Sequence, residues 1–113
     1  MKTPKILKIK KFINKSGQLL AVNSFEKKLF PYKIKRTFFV NSKKNAIRGN
    51  HAHLFCSQLI VCLEGKIKIK IIDLKNKEYF FELNNTNKNA LFIPKKHWIV
   101  LKSKAKALSA ILF

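Results

Sequence analysis

Lys66-Ile67-Lys68-Ile69-Lys70-Ile71 alternates charged and β-branched residues over six positions. A strand turns successive side chains to opposite faces, so the isoleucines share one side and the lysines the other. That is the pattern of a half-buried strand. Just upstream, Gln58-Leu59-Ile60-Val61-Cys62-Leu63 is another β-rich run, and Glu64-Gly65 separates the two. The pair predicts a hairpin with Gly65 in the turn. Downstream, Asp73 to Lys77 reads as a turn, Glu78 to Leu83 as a strand and Asn84 to Asn89 as a polar loop. Ala90 to Ile93 runs into Pro94, Trp98 to Leu101 follows, and Ala107 to Phe113 closes the chain as an apolar strand. On the other side, Gln18 to Val22 and Ile34 to Val40 are strands separated by a loop that contains Pro31.

No segment carries a helical stripe. Short strands at intervals of eight to twelve residues, with turn signals between them, predict an all-β sandwich or barrel. The 113 residues make one domain, 1–113, with 47% hydrophobic residues for its core. An apolar strand left at a sheet edge is an aggregation hazard. The terminal strand is therefore expected to be covered by a second subunit.

The formal net charge is +20, from 25 Lys+Arg against 5 Asp+Glu. Such charge points to a polyanion, either nucleic acid or an acidic membrane surface. Yet all the basic residues except Arg36 and Arg48 are lysines, spread along the chain among many Asn, Ile and Phe. A nucleic-acid reader favours arginine, whose fork matches phosphate and guanine edges. The charge thus reads as compositional bias, with neither a nucleic-acid nor a membrane partner expected. Lysines interrupt every candidate apolar run, so no membrane span is expected. MKTPKILKIKKF has no apolar stretch of the kind a secretory signal needs. Cys56 and Cys62 lack metal or redox spacing and are expected as buried, reduced thiols in a cytoplasmic protein.

Arg48-Gly49-Asn50-His51-Ala52-His53 concentrates the chemistry. Residues two apart on a strand face the same side, about 7 Å from each other along it. Two imidazoles would then look into one cavity. Histidine transfers protons near neutral pH and binds metals, so the pair points to a functional site. Arg48 is an arginine in a chain that otherwise uses lysine, which suits a bidentate hold on an anion.

His51-x-His53, then Gln58, then Gly65 resembles the first cupin motif, and Pro94 with His97 resembles the second. Metal-binding cupins carry a Glu where this chain has Gln58. A neutral amide is a poorer ligand for a divalent cation, so no metal is expected. More narrowly, Arg48 to His53 followed by Gln58-Leu59 and Gly65 resembles the RGxHAH signature of the nucleotide-sugar 3,4-ketoisomerases. Gly17-Gln18-Leu19 and Pro31-Tyr32-Lys33-Ile34-Lys35-Arg36 are further family-like pieces, so the resemblance runs in order along most of the chain. It departs from the family at Lys15-Ser16-Gly17, where an arginine is missing. It departs again at Phe38 and Phe39, which occupy positions where the family carries tyrosines.

The resemblance implies a cupin-type β-barrel of jelly-roll form and a homodimer. It also implies an isomerase, without cofactor, that moves the keto group of a dTDP-4-keto-6-deoxyhexose from C4 to C3 through an enediolate, for bacterial surface-glycan synthesis. His51 would take the C3 proton and His53 would shuttle it. Arg48 would hold the diphosphate or an enediolate oxygen, and Gln58 a sugar hydroxyl. Gly49 and Asn50 complete the substrate-binding segment. Phe38 and Trp98 offer flat apolar surface for a thymine ring. A sugar-nucleotide epimerase on the same scaffold and a non-catalytic sugar-nucleotide-binding cupin are the alternatives.

Overall fold

The computed structural model describes residues 3–21, 34–43, 45–86, 89–103 and 107–112. Among them are eleven strands: β1 (Lys5–Lys8), β2 (Lys10–Asn14), β3 (Gly17–Ala21), β4 (Arg36–Asn41), β5 (Ile47–Ala52), β6 (Gln58–Glu64), β7 (Lys66–Ile72), β8 (Glu78–Asn84), β9 (Asn89–Ile93), β10 (Trp98–Ser103) and β11 (Ala107–Leu112). They form a five-stranded sheet, β1-β9-β6-β11-β4, a four-stranded sheet, β5-β10-β7-β8, and a separate β2-β3 hairpin. Every strand pairing is antiparallel. This is the all-β, cupin-type architecture expected, built as two facing sheets. Pro31, Tyr32 and Lys33 lie outside the described residues.

The alternation that defined β7 also defines the core. Ile67, Ile69 and Ile71 point inward with Ile60 and Cys62 of β6, Leu83 of β8, Leu91 and Ile93 of β9, and Ile99 of β10. Burying an isoleucine stabilises a fold by about 1.5–3 kcal/mol, so this layer supplies the main cohesion between the sheets. β6 is buried on both faces, because Leu59 and Val61 join a second cluster with Leu7, Ile9, Ala90 and Phe92. That explains why β6 reads as a continuous apolar run rather than an alternating one.

Two sequence expectations are corrected. β6 and β7 are not a hairpin; they belong to different sheets. Gly65, at φ 87, carries the chain across the sandwich, and its carbonyl accepts a bond from the Asn85 N–H at 3.2 Å. The hairpin is β7-β8, closed where the Asp73 carboxylate accepts the Lys75 and Lys77 N–H groups. Those N–H groups and the Tyr79 hydroxyl hold the Asp73 carboxyl below its ordinary value. The apolar terminal strand is not an edge either. β11 pairs with β6 on one side and β4 on the other, so its own sheet protects it. Cys62 is buried, with its thiol pushed up to about 11 by desolvation, while Cys56 is only half-buried; both are free.

Candidate functional site

β5 lies at the edge of the four-stranded sheet and is bulged. Its register with β10 pairs His51 with Ile99 and Gly49 with Val100, then Arg48 with Leu101, leaving Asn50 unopposed. Gly49 and Asn50 both have positive φ, 87 and 55. A Cβ on Gly49 would come 2.7 Å from the Ile99 carbonyl oxygen, so this position has room only for glycine.

A bulge re-aims side chains, and here it decides the site. Directly opposed residues on neighbouring strands face the same way, and Ile99 and Leu101 both face the core. His51 and Arg48 therefore share the inner face although they are three apart in sequence, and His53 joins them two residues on. The His51 and His53 Nε2 atoms are 3.3 Å apart, with ring centroids at 4.9 Å and planes at 83°. In such a contact one Nε2–H donates and the other nitrogen accepts, so at least one ring is neutral. The turn after β9 fixes the end of the strand, because the Lys96 N–H donates to the His53 carbonyl at 2.7 Å. Desolvation, then the nearby His51, then Arg36 hold the His53 imidazole below its ordinary value.

Arg36 is a residue that sequence reading missed as part of the site. Its charge reaches His53 and its guanidinium lies 5.0 Å from the Phe38 ring centroid. Its signal was the alternation Arg36-Thr37-Phe38, which puts it on the face of Phe38. Phe38 packs against the inner core cluster, whereas Phe39 is 72% exposed on the other face. Of the two phenylalanines at tyrosine positions, Phe38 is the one facing the histidines' side. Gln58 also faces inward, in the same row of the five-stranded sheet as Arg36, through Leu112. It is buried, and its Oε1 has no hydrogen-bond partner.

Trp98 is not brought to this site. It opposes Ala52 and precedes the inward Ile99, so it faces outward with Leu54 and Leu74 around a groove of about 450 Å3. Asn50 is exposed and serves as the extra residue of the bulge. His97, the second-motif histidine, is buried, with its Nδ1 2.9 Å from the Lys95 carbonyl oxygen. Among the described residues no group of three or more His, Cys, Asp or Glu side chains could hold a metal ion. The inner face thus offers a proton-sharing imidazole pair, two guanidinium groups, an unpaired amide oxygen and an aromatic ring.

A TDP-4-oxo-6-deoxy-alpha-D-glucose-3,4-oxoisomerase from Aneurinibacillus thermoaerophilus is 36% identical over 70 residues, 61% of this chain. That match spans 49% of the curated relative's own length. The structure of WlaRA, a TDP-fucose-3,4-ketoisomerase from Campylobacter jejuni, superposes with a TM-score of 0.79 at 28% identity, covering 97% of this chain and 81% of that one. QdtA, a sugar 3,4-ketoisomerase from Thermoanaerobacterium thermosaccharolyticum solved in complex with TDP, gives 0.81 at 26% identity, covering 97% and 80%. Residues 2–112 match the family described as FdtA: WxcM-like, C-terminal, and the chain belongs to that family.

Proposed function

We propose that the protein is a nucleotide-sugar 3,4-ketoisomerase acting on a dTDP-4-keto-6-deoxyhexose. The observation that carries this reading is the His51–His53 contact on the inner face, with Arg48 on the same face and Arg36 near enough to lower the His53 pKa. A ketone at C4 acidifies the C3 hydrogen. His51 removes it as a proton, leaving an enediolate. The proton crosses to His53 over the Nε2–Nε2 contact, the O3 proton passes to O4, and C4 is reprotonated. The carbonyl then stands at C3, and hydrogen and electrons balance with no cofactor. Arg48 and Arg36 supply fixed positive charge for the diphosphate and the enediolate oxygens. Phe38 provides a stacking face for the base. The relatives' activities and the TDP bound by QdtA support the substrate class.

Hydrogen exchange at C3, followed by NMR in heavy water with the 4-keto-6-deoxy sugar nucleotide, tests this reading. His53 must be neutral to accept the proton, and its depressed pKa keeps it neutral to lower pH. Exchange is therefore expected to be flat around neutrality and lost only as pH falls through a midpoint below 6.5. Absence of exchange above background ends the isomerase reading, and a midpoint above 6.5 removes His53 from the role.

Gln58 separates stability from binding. An unpaired buried acceptor costs about 1–3 kcal/mol, so Gln58→Met, similar in shape, is expected to raise Tm. The same change is expected to raise KM by losing a partner for a sugar hydroxyl. A lower Tm with KM unchanged would place the amide in the scaffold alone.

The protein is further proposed to be one domain over 1–113, cytoplasmic and homodimeric. The free thiols fit a reducing compartment, which cell fractionation reads out. Dimerisation is supported by the β2-β3 hairpin, which joins neither large sheet and exposes Phe12, Ile13 and Leu19. Sedimentation is expected to give twice the 13.2 kDa chain mass, falling toward one chain in F12S/L19S. A monomeric wild type would sink the dimer.

A further inference from the structure

The outer face of the four-stranded sheet has no counterpart in the isomerase chemistry. Its rows run Ile47–Lys102–Lys68–Glu82, Val100–Lys70–Phe80 and Ala52–Trp98–Ile72–Glu78. Phe80 is 69% exposed, Ile47 62% and Trp98 43%. A shallow groove of about 510 Å3 lies over Val100 and Phe80, bordered by Lys68, Lys70 and Lys102. Both glutamates of the face are already paired, Glu78 with Lys70 at 3.3 Å and Glu82 with Lys66 at 3.5 Å. Lys68 and Lys102 stand opposite each other, and among the described residues neither has an ion-pair partner. Like charges directly opposed on a sheet repel, and an external anion relieves them.

We propose that this face docks on an anionic phospholipid bilayer surface. Aromatic rings flanked by aliphatic side chains and lysines match the bilayer interface, where rings enter at headgroup depth and lysine stems reach up to phosphate. A single-stranded nucleic acid would need no aliphatic neighbours and would favour arginine, and both arginines belong to the inner face. Charge complementarity therefore selects the lipid. Among the described residues no helix is long and apolar enough to cross a bilayer, and docking on the surface needs none.

Trp98 is the only tryptophan and stands on the proposed face. The full-length protein is to be mixed with vesicles of equal parts phosphatidylglycerol and phosphatidylcholine, and with pure phosphatidylcholine vesicles. Co-sedimentation and a blue shift of Trp98 emission are expected with the first only, weakening as salt rises. K68E/K102E is expected to lower vesicle affinity at least about tenfold. K5E/K35E, with the same charge change away from this face, is expected to leave it nearly unchanged. Equal losses in the two variants, or binding without any Trp98 shift, overturn the proposal. So does a K68E/K102E variant that loses oligothymidylate binding but keeps its vesicles.

Discussion

Replacing His51 by glutamine is expected to slow C3 exchange and turnover by about 10²–10⁴-fold with little change in Tm. Glutamine keeps a hydrogen-bonding end near His53 but cannot take a proton from carbon. The fold tolerates the change because His51 is exposed at the edge strand, at the end of a row whose other members, Ile99, Ile71 and Tyr79, are packed inside. The variant has a second, independent readout. His51 is one of the causes that depress the His53 imidazole, so its loss is expected to move the His53 titration up toward the ordinary value. Full activity in H51Q would leave the imidazole pair without a catalytic role. Unchanged exchange with altered product stereochemistry would favour the epimerase alternative.

Gly49→Ala is expected to cost at least about 2 kcal/mol, lowering Tm by about 10 °C, and to abolish activity in whatever remains folded. Two effects add. The new methyl group meets the Ile99 carbonyl at 2.7 Å, and alanine is strained at φ +87. The Ile99 oxygen is backbone of the neighbouring strand, so relief requires β5 and β10 to part or the bulge to slip. A slip by one residue turns His51 and His53 to the outer face. Asn50→Gly is the contrasting change, because glycine accepts φ 55 without strain. Thermal melts of both variants check the argument, and an alanine variant as stable as the native chain would refute it.

The strands were legible wherever period-two alternation or a β-rich run was long enough. β7 and β8 match the sequence reading to within a residue. Partnership was not legible. Gly65 marks a change of direction equally well in a hairpin and in a crossing between sheets. What separates them is that β6 is buried on both faces, which depends on β1, β9 and β11. The same non-local pairing hid the place of β11 inside its sheet. At the site, the histidine pair was readable from its spacing. The alignment of Arg48 with His51 was not, because strict alternation puts residues three apart on opposite faces, and only the bulge at Gly49-Asn50 reverses that. Trp98 shows the converse: its flat apolar ring suggested a stacking face for the base, while the phase set by Ile99 turns it outward.

Among the described residues β4 has one hydrogen-bonded neighbour in its sheet, and that neighbour is β11. The wall that carries Arg36 and Phe38 is thus tethered by a segment some seventy positions further along the polypeptide. A ribosome releasing residues at about 5–20 per second leaves that wall unanchored for several seconds. Throughout that interval the nascent chain has its imidazoles but lacks the strand that holds Arg36 and Phe38 in the sheet.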